Sequence, residues 1–140
     1  MKRNLIGILS LVVMSVMINA TANAQAYVKA DVPFGFKVGS AQLPAGTYEI
    51  KSATNSAVVI QNRTTSAAAM SNIRREDSLN SGAKLVFHHV AGQYFLAEIC
   101  RGAGNGRLVI PASKQEKDLE KELRASGQSS GGEDVMIALN

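Results

Sequence analysis

The adjacent pair His88-His89 holds the only histidines of the 140-residue chain, and imidazole is the side chain best suited to metal ligation and to proton transfer near neutral pH. The apolar and aromatic run around them reads as a strand, where consecutive side chains point to opposite faces. The two rings therefore cannot share one ion unless the strand bulges, and each needs its own partners. A two-residue loop at Ala91-Gly92 would set His89 opposite Tyr94, Phe87 opposite Leu96 and Leu85 opposite Glu98. His89, Tyr94 and Glu98 then share a face and form the best acid-base or ligand set the sequence offers. A zinc site takes three or four ligands, and only two histidines and one cysteine exist. A metal-dependent protein or hydrolase centred on His88, His89 and Glu98 is thus the alternative reading. Structural, hydrogen-bonded histidines are the simpler one.

Nucleophiles are no better placed. Many serines and threonines are present, none in the Gly-x-Ser-x-Gly setting of a nucleophile elbow. Cys100 is the lone cysteine, so no disulfide forms within the chain. It ends the run Leu96-Ala97-Glu98-Ile99-Cys100 and reads as a small buried hydrophobe. At about 3.3 Å per residue it lies about 20 Å from Tyr94 and the His89 end of the hairpin, too far for a thiol–imidazole pair. Gly102-Ala103-Gly104-Asn105-Gly106 has the glycines of a phosphate loop, but such a loop runs from strand to helix and here a strand follows. A flexible β connection is expected, with Arg101 and Arg107 at its base able to hold an anion. Asn62-Arg63-Thr64 matches a glycosylation sequon, a match common by chance. No cofactor is implied, and no catalytic set.

The ends and totals bound the class. Lys2 and Arg3 precede an apolar run, Leu5 to Ile18, of the length of a signal h-region and short of the roughly 20 residues of a spanning helix. Ala22 and Ala24 supply the small-x-small cleavage pattern, so residues 1–24 are expected to be removed and Gln25 to begin the mature protein. The remaining 116 residues make one domain, 25–140. Loss of Lys2 and Arg3 lowers the formal charge from +4 to +2. The remaining basic residues are scattered, which excludes the clustered stripe of a nucleic-acid-binding protein.

From Tyr27 to about Ala112 the chain reads as seven or eight short strands broken every 8 to 12 residues by Gly, Pro, Asn or Ser, the pattern of a sandwich or barrel. Val28 to Val38 is kinked at Pro33, Leu43-Pro44-Ala45-Gly46 is a turn, and Thr47 to Lys51, Ala57 to Gln61 and an alanine-rich Ala67 to Arg75 follow. Lys84 to Val90 and Gln93 to Cys100 form a hairpin whose two faces are both half apolar, so cover on both sides is expected. Arg107 to Ile110 resumes the sheet. One helix is convincing, Lys114 to Ala125, with Ser113 and Glu116 as a capping box and Leu119 and Leu123 as a thin apolar stripe. That stripe suits docking outside the sheet or on a partner. A Ser/Gly linker, 126–132, leads to a last strand, Val135 to Leu139. The fold class is therefore mainly β: a small antiparallel barrel or sandwich with one external C-terminal helix and a final strand.

Val32-Pro33-Phe34-Gly35-Phe36-Lys37-Val38-Gly39, Leu43-Pro44-Ala45-Gly46-Thr47-Tyr48, Leu85-Val86-Phe87-His88 and Tyr94-Phe95-Leu96, in that order, resemble a group of small exported proteins of unknown function common in acidobacterial genomes. The resemblance spans nearly all of the mature chain. It implies an exported compartment and a β architecture followed by a charged helix and a short strand, and it implies no activity. Cys100 departs from it, since a large aromatic is expected there. Leu-Pro-Ala-Gly-Thr-Tyr alone resembles a turn of immunoglobulin-like or prealbumin-like surface modules.

The leading expectation is an exported, periplasmic or secreted, non-catalytic domain that binds an unknown protein or envelope ligand, with Arg101, Arg107, Leu119 and Leu123 as candidate contacts and no membrane span after cleavage. Expressed with its leader in a bacterial host, the chain should be recovered outside the cytoplasm with an N-terminus at Gln25, read by mass spectrometry. Full-length chain retained in the cytoplasm would remove the premise of export.

Overall fold

Alternation of buried and less buried residues along its strands gives the first sheet one apolar face, which a second layer must cover. The computed structural model describes residues 27–78, 82–102, 104–129 and 132–140; the expected signal peptide and residues 130–131 of the expected linker lie outside them. In the first sheet β1 (Val28–Val32), β4 (Gly46–Thr54), β5 (Ala57–Gln61) and β6 (Ala68–Asn72) pair antiparallel in the order β1-β4-β5-β6. Ala30 and Val32, Tyr48 and Ile50, Val58 and Ile60 point inward from alternate positions. Their neighbours along each strand are less buried, as expected for a sheet with one face in water.

The second sheet runs β11 (Glu133–Ala138), β8 (Ala83–Val90), β9 (Gln93–Arg101), β10 (Arg107–Val109) and β7 (Arg74–Glu76). A short hairpin, β2 (Phe36–Val38) and β3 (Ala41–Leu43), joins it where Lys37 lies parallel to Phe95 of β9. The sheets stay open, so of barrel and sandwich the architecture is sandwich-like. Leu85, Phe87, Leu96, Ile99 and Leu108 face the first sheet and complete the core. Phe87 is fully buried and meets the rings of Phe34 and Phe36 edge-on, each at 5.2 Å between centroids.

Three expectations on register are corrected. Ala67 to Arg75 is not one strand: at Ile73 the chain leaves β6 for β7 in the other sheet, with the Ile73 side chain buried and its N–H donated to Ser56 O at 2.8 Å. Such corners let one run serve both layers. Second, the short elements β2, β3 and β7 raise the strand count between Tyr27 and Ala112 to ten among the described residues, where seven or eight were expected. Third, the β8/β9 hairpin keeps the expected two-residue loop, with Ala91 and Gly92 at φ of 50° and 74° as a primed turn requires, but it carries a bulge. His89 pairs with Tyr94, His88 with Phe95 and Phe87 with Leu96, and then Val86 pairs with Glu98 and Leu85 with Ile99, leaving Ala97 extra. Leu85 opposite Glu98 is therefore overturned. An unbulged register would have aimed Glu98 into the core and Ile99 out of it.

The outer face of the hairpin is also covered, as its composition requires. Val86, Val90, Phe95 and Cys100 are buried there, and α1 (Lys114–Ala125) lies over β8. Ser113 caps α1 by accepting the Glu116 N–H at 3.2 Å. Removing the Phe87 ring should cost about 3–5 kcal/mol, the usual range for a buried phenylalanine. Urea unfolding of Phe87→Ala checks this, with Met70→Ser at a 70 % exposed position as a control expected to stay within about 0.5 kcal/mol.

Candidate functional site

The two histidines do point to opposite faces, and each is engaged. His88 lies on the outer face beneath α1, its Nδ1 at 2.9 Å from Glu116 Oε1 and its Nε2 at 3.8 Å from Asp134 Oδ1. Glu116 is buried at 4 % exposure although it belongs to a charged helix. In a full capping box its carboxylate would turn back to the cap; here it reaches His88. His89 lies on the opposite face, stacked on Tyr94 with centroids 4.5 Å apart, and Tyr94 stacks in turn on Phe34 at 4.0 Å.

Glu98 joins neither ring. The bulge carries it to the outer face, where its carboxylate meets Arg107 Nη1 at 3.3 Å. The expected set of His89, Tyr94 and Glu98 is thus not assembled, because one inserted residue reverses the facing of the second half of β9. Among the described residues no three of His, Cys, Asp and Glu are grouped to hold a metal ion. Cys100 is buried and pairs in register with Lys84 at the end of the hairpin far from His89. Asn62 of the sequon is also buried, its Oδ1 accepting the N–H groups of Thr64 and Thr65 at 2.9 and 3.1 Å. A Cβ at Gly46 would sit 2.5 Å from Asn62 Nδ2, so that turn closes tightly on it.

The two arginines flanking the glycine-rich loop have different fates. Arg107 pairs with Glu76 at 2.6 Å and with Glu98, and Arg74 adds to Glu76 at 3.1 Å. Hydrogen bonds from Arg107 first, and Arg74 second, hold the Glu76 carboxyl below its ordinary value of 4.5, and Glu76 in turn raises the Arg107 guanidinium. Arg101, by strand alternation, points to the inter-sheet side with Ile99. Its Nη2 donates to Asn105 O at 2.9 Å, and its Nε is buried with no partner. Gly102, Gly104 and Gly106 all have positive φ, which folds the loop back so that Asn105 O can cap Arg101. Residue 103 lies outside the described residues.

Arg101 borders a cavity of about 170 Å³ between the sheets. Val28, Ile50, Val58, Ile99 and Leu108 form its walls. Ser52 and Asn105, both exposed, join Arg101 at its mouth. Sequence reasoning found the loop and its arginines but not the cavity, whose walls come from five strands. Nor did it find Glu116 as the partner of His88. The capping box had marked Glu116 for a different task.

Leu119 and Leu123 are half-buried, and with Glu116 and Glu120 they make up one side of α1, the spacing of three and four that shares a helical face. Since Glu116 on that side meets β8, the stripe faces the chain's own sheet. Leu119 also borders an open cleft with Ser40, Gln115 and Glu122, so the stripe is covered in part and accessible in part.

A carboxylate whose pKa is lowered on folding stabilises the protein above its ordinary range, and that contribution is lost as pH falls through the folded value. Glu76, and Glu49 held down by Arg63 and then Lys51, are such groups. The thermal midpoint should therefore fall as the pH drops below about 4.5, and Glu76→Gln should show a shallower acid decline; superposable curves for the two proteins would mean the Arg107 pair is idle. No family model, no curated protein and no solved structure matches this chain, and its own geometry is the ground for a function.

Proposed function

We propose that the protein is an exported, non-catalytic binding module whose site is the cavity at the Arg101 end of the sandwich. Export rests on Lys2-Arg3, the apolar run Leu5 to Ile18 and the Ala22-x-Ala24 cleavage pattern, together with the resemblance to exported acidobacterial proteins. The observation that carries the binding reading is the cavity itself: an apolar pocket with a small set of polar groups at its mouth is the usual form of a small-molecule site. The alternative, a metal-dependent protein or hydrolase on His88, His89 and Glu98, loses ground because these three are dispersed over two faces and engaged by Glu116, Tyr94 and Arg107 respectively. A partner docked on Leu119 and Leu123 loses ground for the reason already given, that the stripe faces its own sheet.

Thermal melting of the chain from Gln25 to Asn140, which contains every described residue, tests this against divalent metals, glycans, peptidoglycan fragments, lipids and small organic acids. A ligand at about 100 times its Kd stabilises by roughly 2.7 kcal/mol, several degrees in a domain of this size. The expected result is a shift with a small amphipathic compound that disappears in Ser52→Trp, a substitution at the exposed rim that closes the mouth and leaves the core intact. A shift with a metal alone, lost on His88→Ala, would reinstate the alternative. A flat response across the whole panel would overturn the cavity as the site.

A further inference from the structure

We infer that the inter-sheet cavity takes a small monocarboxylate with a compact apolar body, about one aromatic ring or six carbons, whose carboxylate is held by Arg101; this rests on reading the protein as a binding module. The charge comes first. Arg101 forms no ion pair among the described residues, and the cavity lining contains no carboxylate. Asn105 O fixes the guanidinium through Nη2, while the Nε–H is buried and unpartnered. A buried donor left without a partner is costly, the more so on a charged group, and such a group in a folded protein calls for an explanation. The planar guanidinium fork is matched by a carboxylate, which can take two of its N–H groups side by side.

The contrast with Arg107 strengthens this. Both arginines flank the same loop, yet Arg107 is saturated by Glu76 and Glu98. A shallower cleft of about 230 Å³ touches both arginines, but Glu76 and Asp77 line it too, and an anion there would face those carboxylates. Of these two spaces, the inter-sheet cavity is the one whose described lining sets Arg101 beside no carboxylate.

Size and polarity fix the rest of the molecule. A dry apolar cavity of about 150 Å³ accommodates benzene, so about 170 Å³ holds one ring or a short acyl chain and not a nucleotide or a long lipid tail. Val28, Ile50, Val58, Ile99 and Leu108 offer the body no hydrogen-bonding side chain. Acetate or phosphate would satisfy Arg101 and leave these walls unfilled.

Calorimetric titration of the chain from Gln25 to Asn140 separates the two halves of the recognition. Benzoate and hexanoate supply charge and body, benzyl alcohol and hexanol the body alone, acetate and inorganic phosphate the charge alone. Benzoate or hexanoate should bind at least tenfold more tightly than the matching alcohol, the weight of a charge-assisted hydrogen bond. Arg101→Met, which keeps an apolar stem, should erase that advantage and leave the alcohols unchanged, and Arg101→Lys should restore part of it. Ser52→Trp should abolish both acids and alcohols. Acids and alcohols binding equally, and indifferently to Arg101→Met, would overturn the carboxylate assignment while the binding module stands. Acid binding that survives Ser52→Trp would place the site elsewhere, and no binding by any of the six compounds would overturn the proposal outright. Melting midpoints of the variants close to the parent's show that each loss is local.

Discussion

One extra residue, Ala97, sets the facing of everything that follows it in β9. A strand alternates its side chains with a period of two, so an inserted residue exchanges the faces for the rest of its length. Before the bulge Leu96 is a core residue and Phe95 lies outside it; after the bulge Ile99 is the core residue and Glu98 and Cys100 lie outside. Ala97 also stands where β9 changes its neighbour. Alongside Phe95 the strand meets β2, alongside Glu98 to Cys100 it meets β10, and Ile110 donates its N–H to Ala97 O at the junction. Two short strands thereby share one edge of β9, and the irregularity lies where the first gives way to the second. Arg101 inherits the same facing as Ile99, and so a cationic residue at the end of a strand comes to border the interior.

The charged groups sort by face in consequence. On the outside of the second sheet, Arg74, Glu76, Arg107 and Glu98 alternate in sign and satisfy one another. Pairs this exposed contribute little each, but they match Arg74, Glu76 and Arg107 on the short strands β7 and β10, while Arg75 between them donates to Asn55 O at 3.0 Å. On the first sheet, Glu49 gathers Lys29, Lys51 and Arg63 in the same manner. Arg101, like Arg75, hydrogen-bonds among the described residues to a backbone carbonyl and to no carboxylate, and it differs from Arg75 in bordering the inter-sheet cavity.

Much of the fold was legible because its signals are local. Ala91-Gly92 specified a primed turn, Ser113 with Glu116 marked the start of α1, and Ala57–Gln61 is bounded by an exposed turn on one side and Asn62 on the other. The two-sided cover of the hairpin could be inferred from apolar residues on both of its faces. What escaped depends on residues distant in sequence. Nothing in Leu96-Ala97-Glu98 distinguishes a bulged alanine from a paired one, since the insertion is decided by which residue the opposite sheet needs at position 99. Ile73 reads as a strand residue because it is apolar, and its role as a corner is set by Ser56 and by the sheet to which β7 belongs. The cavity was beyond reach for the same reason: its walls are contributed from Val28 to Leu108, and an absence of filling has no motif.

The helix shows how polar contacts can do what a thin apolar stripe cannot. Leu119 and Leu123 alone would bury little surface, and an amphipathic helix of twelve residues gains most of its stability from packing. Here its N-terminal turn is held at separate points: Ser113 caps it, Glu116 reaches His88, and Lys37 spans Gln115 at 3.0 Å and Gln93 at 2.6 Å while its ammonium lies 5.8 Å above the Phe95 ring. The helix is thus pinned at its start over the turn end of the hairpin, where Val90 and Phe95 need cover. His88 is then better explained as the group that accommodates a buried carboxylate than as a catalytic residue. A carboxylate buried this deeply requires a hydrogen-bonded partner, and β8 can supply one only from the outer face. The histidine pair that first suggests chemistry therefore divides into two structural tasks, one on each face of the strand. The proposed ligand site lies at the opposite end of the sandwich, where the loop after β9 is rich in glycine and a cavity opens between the sheets.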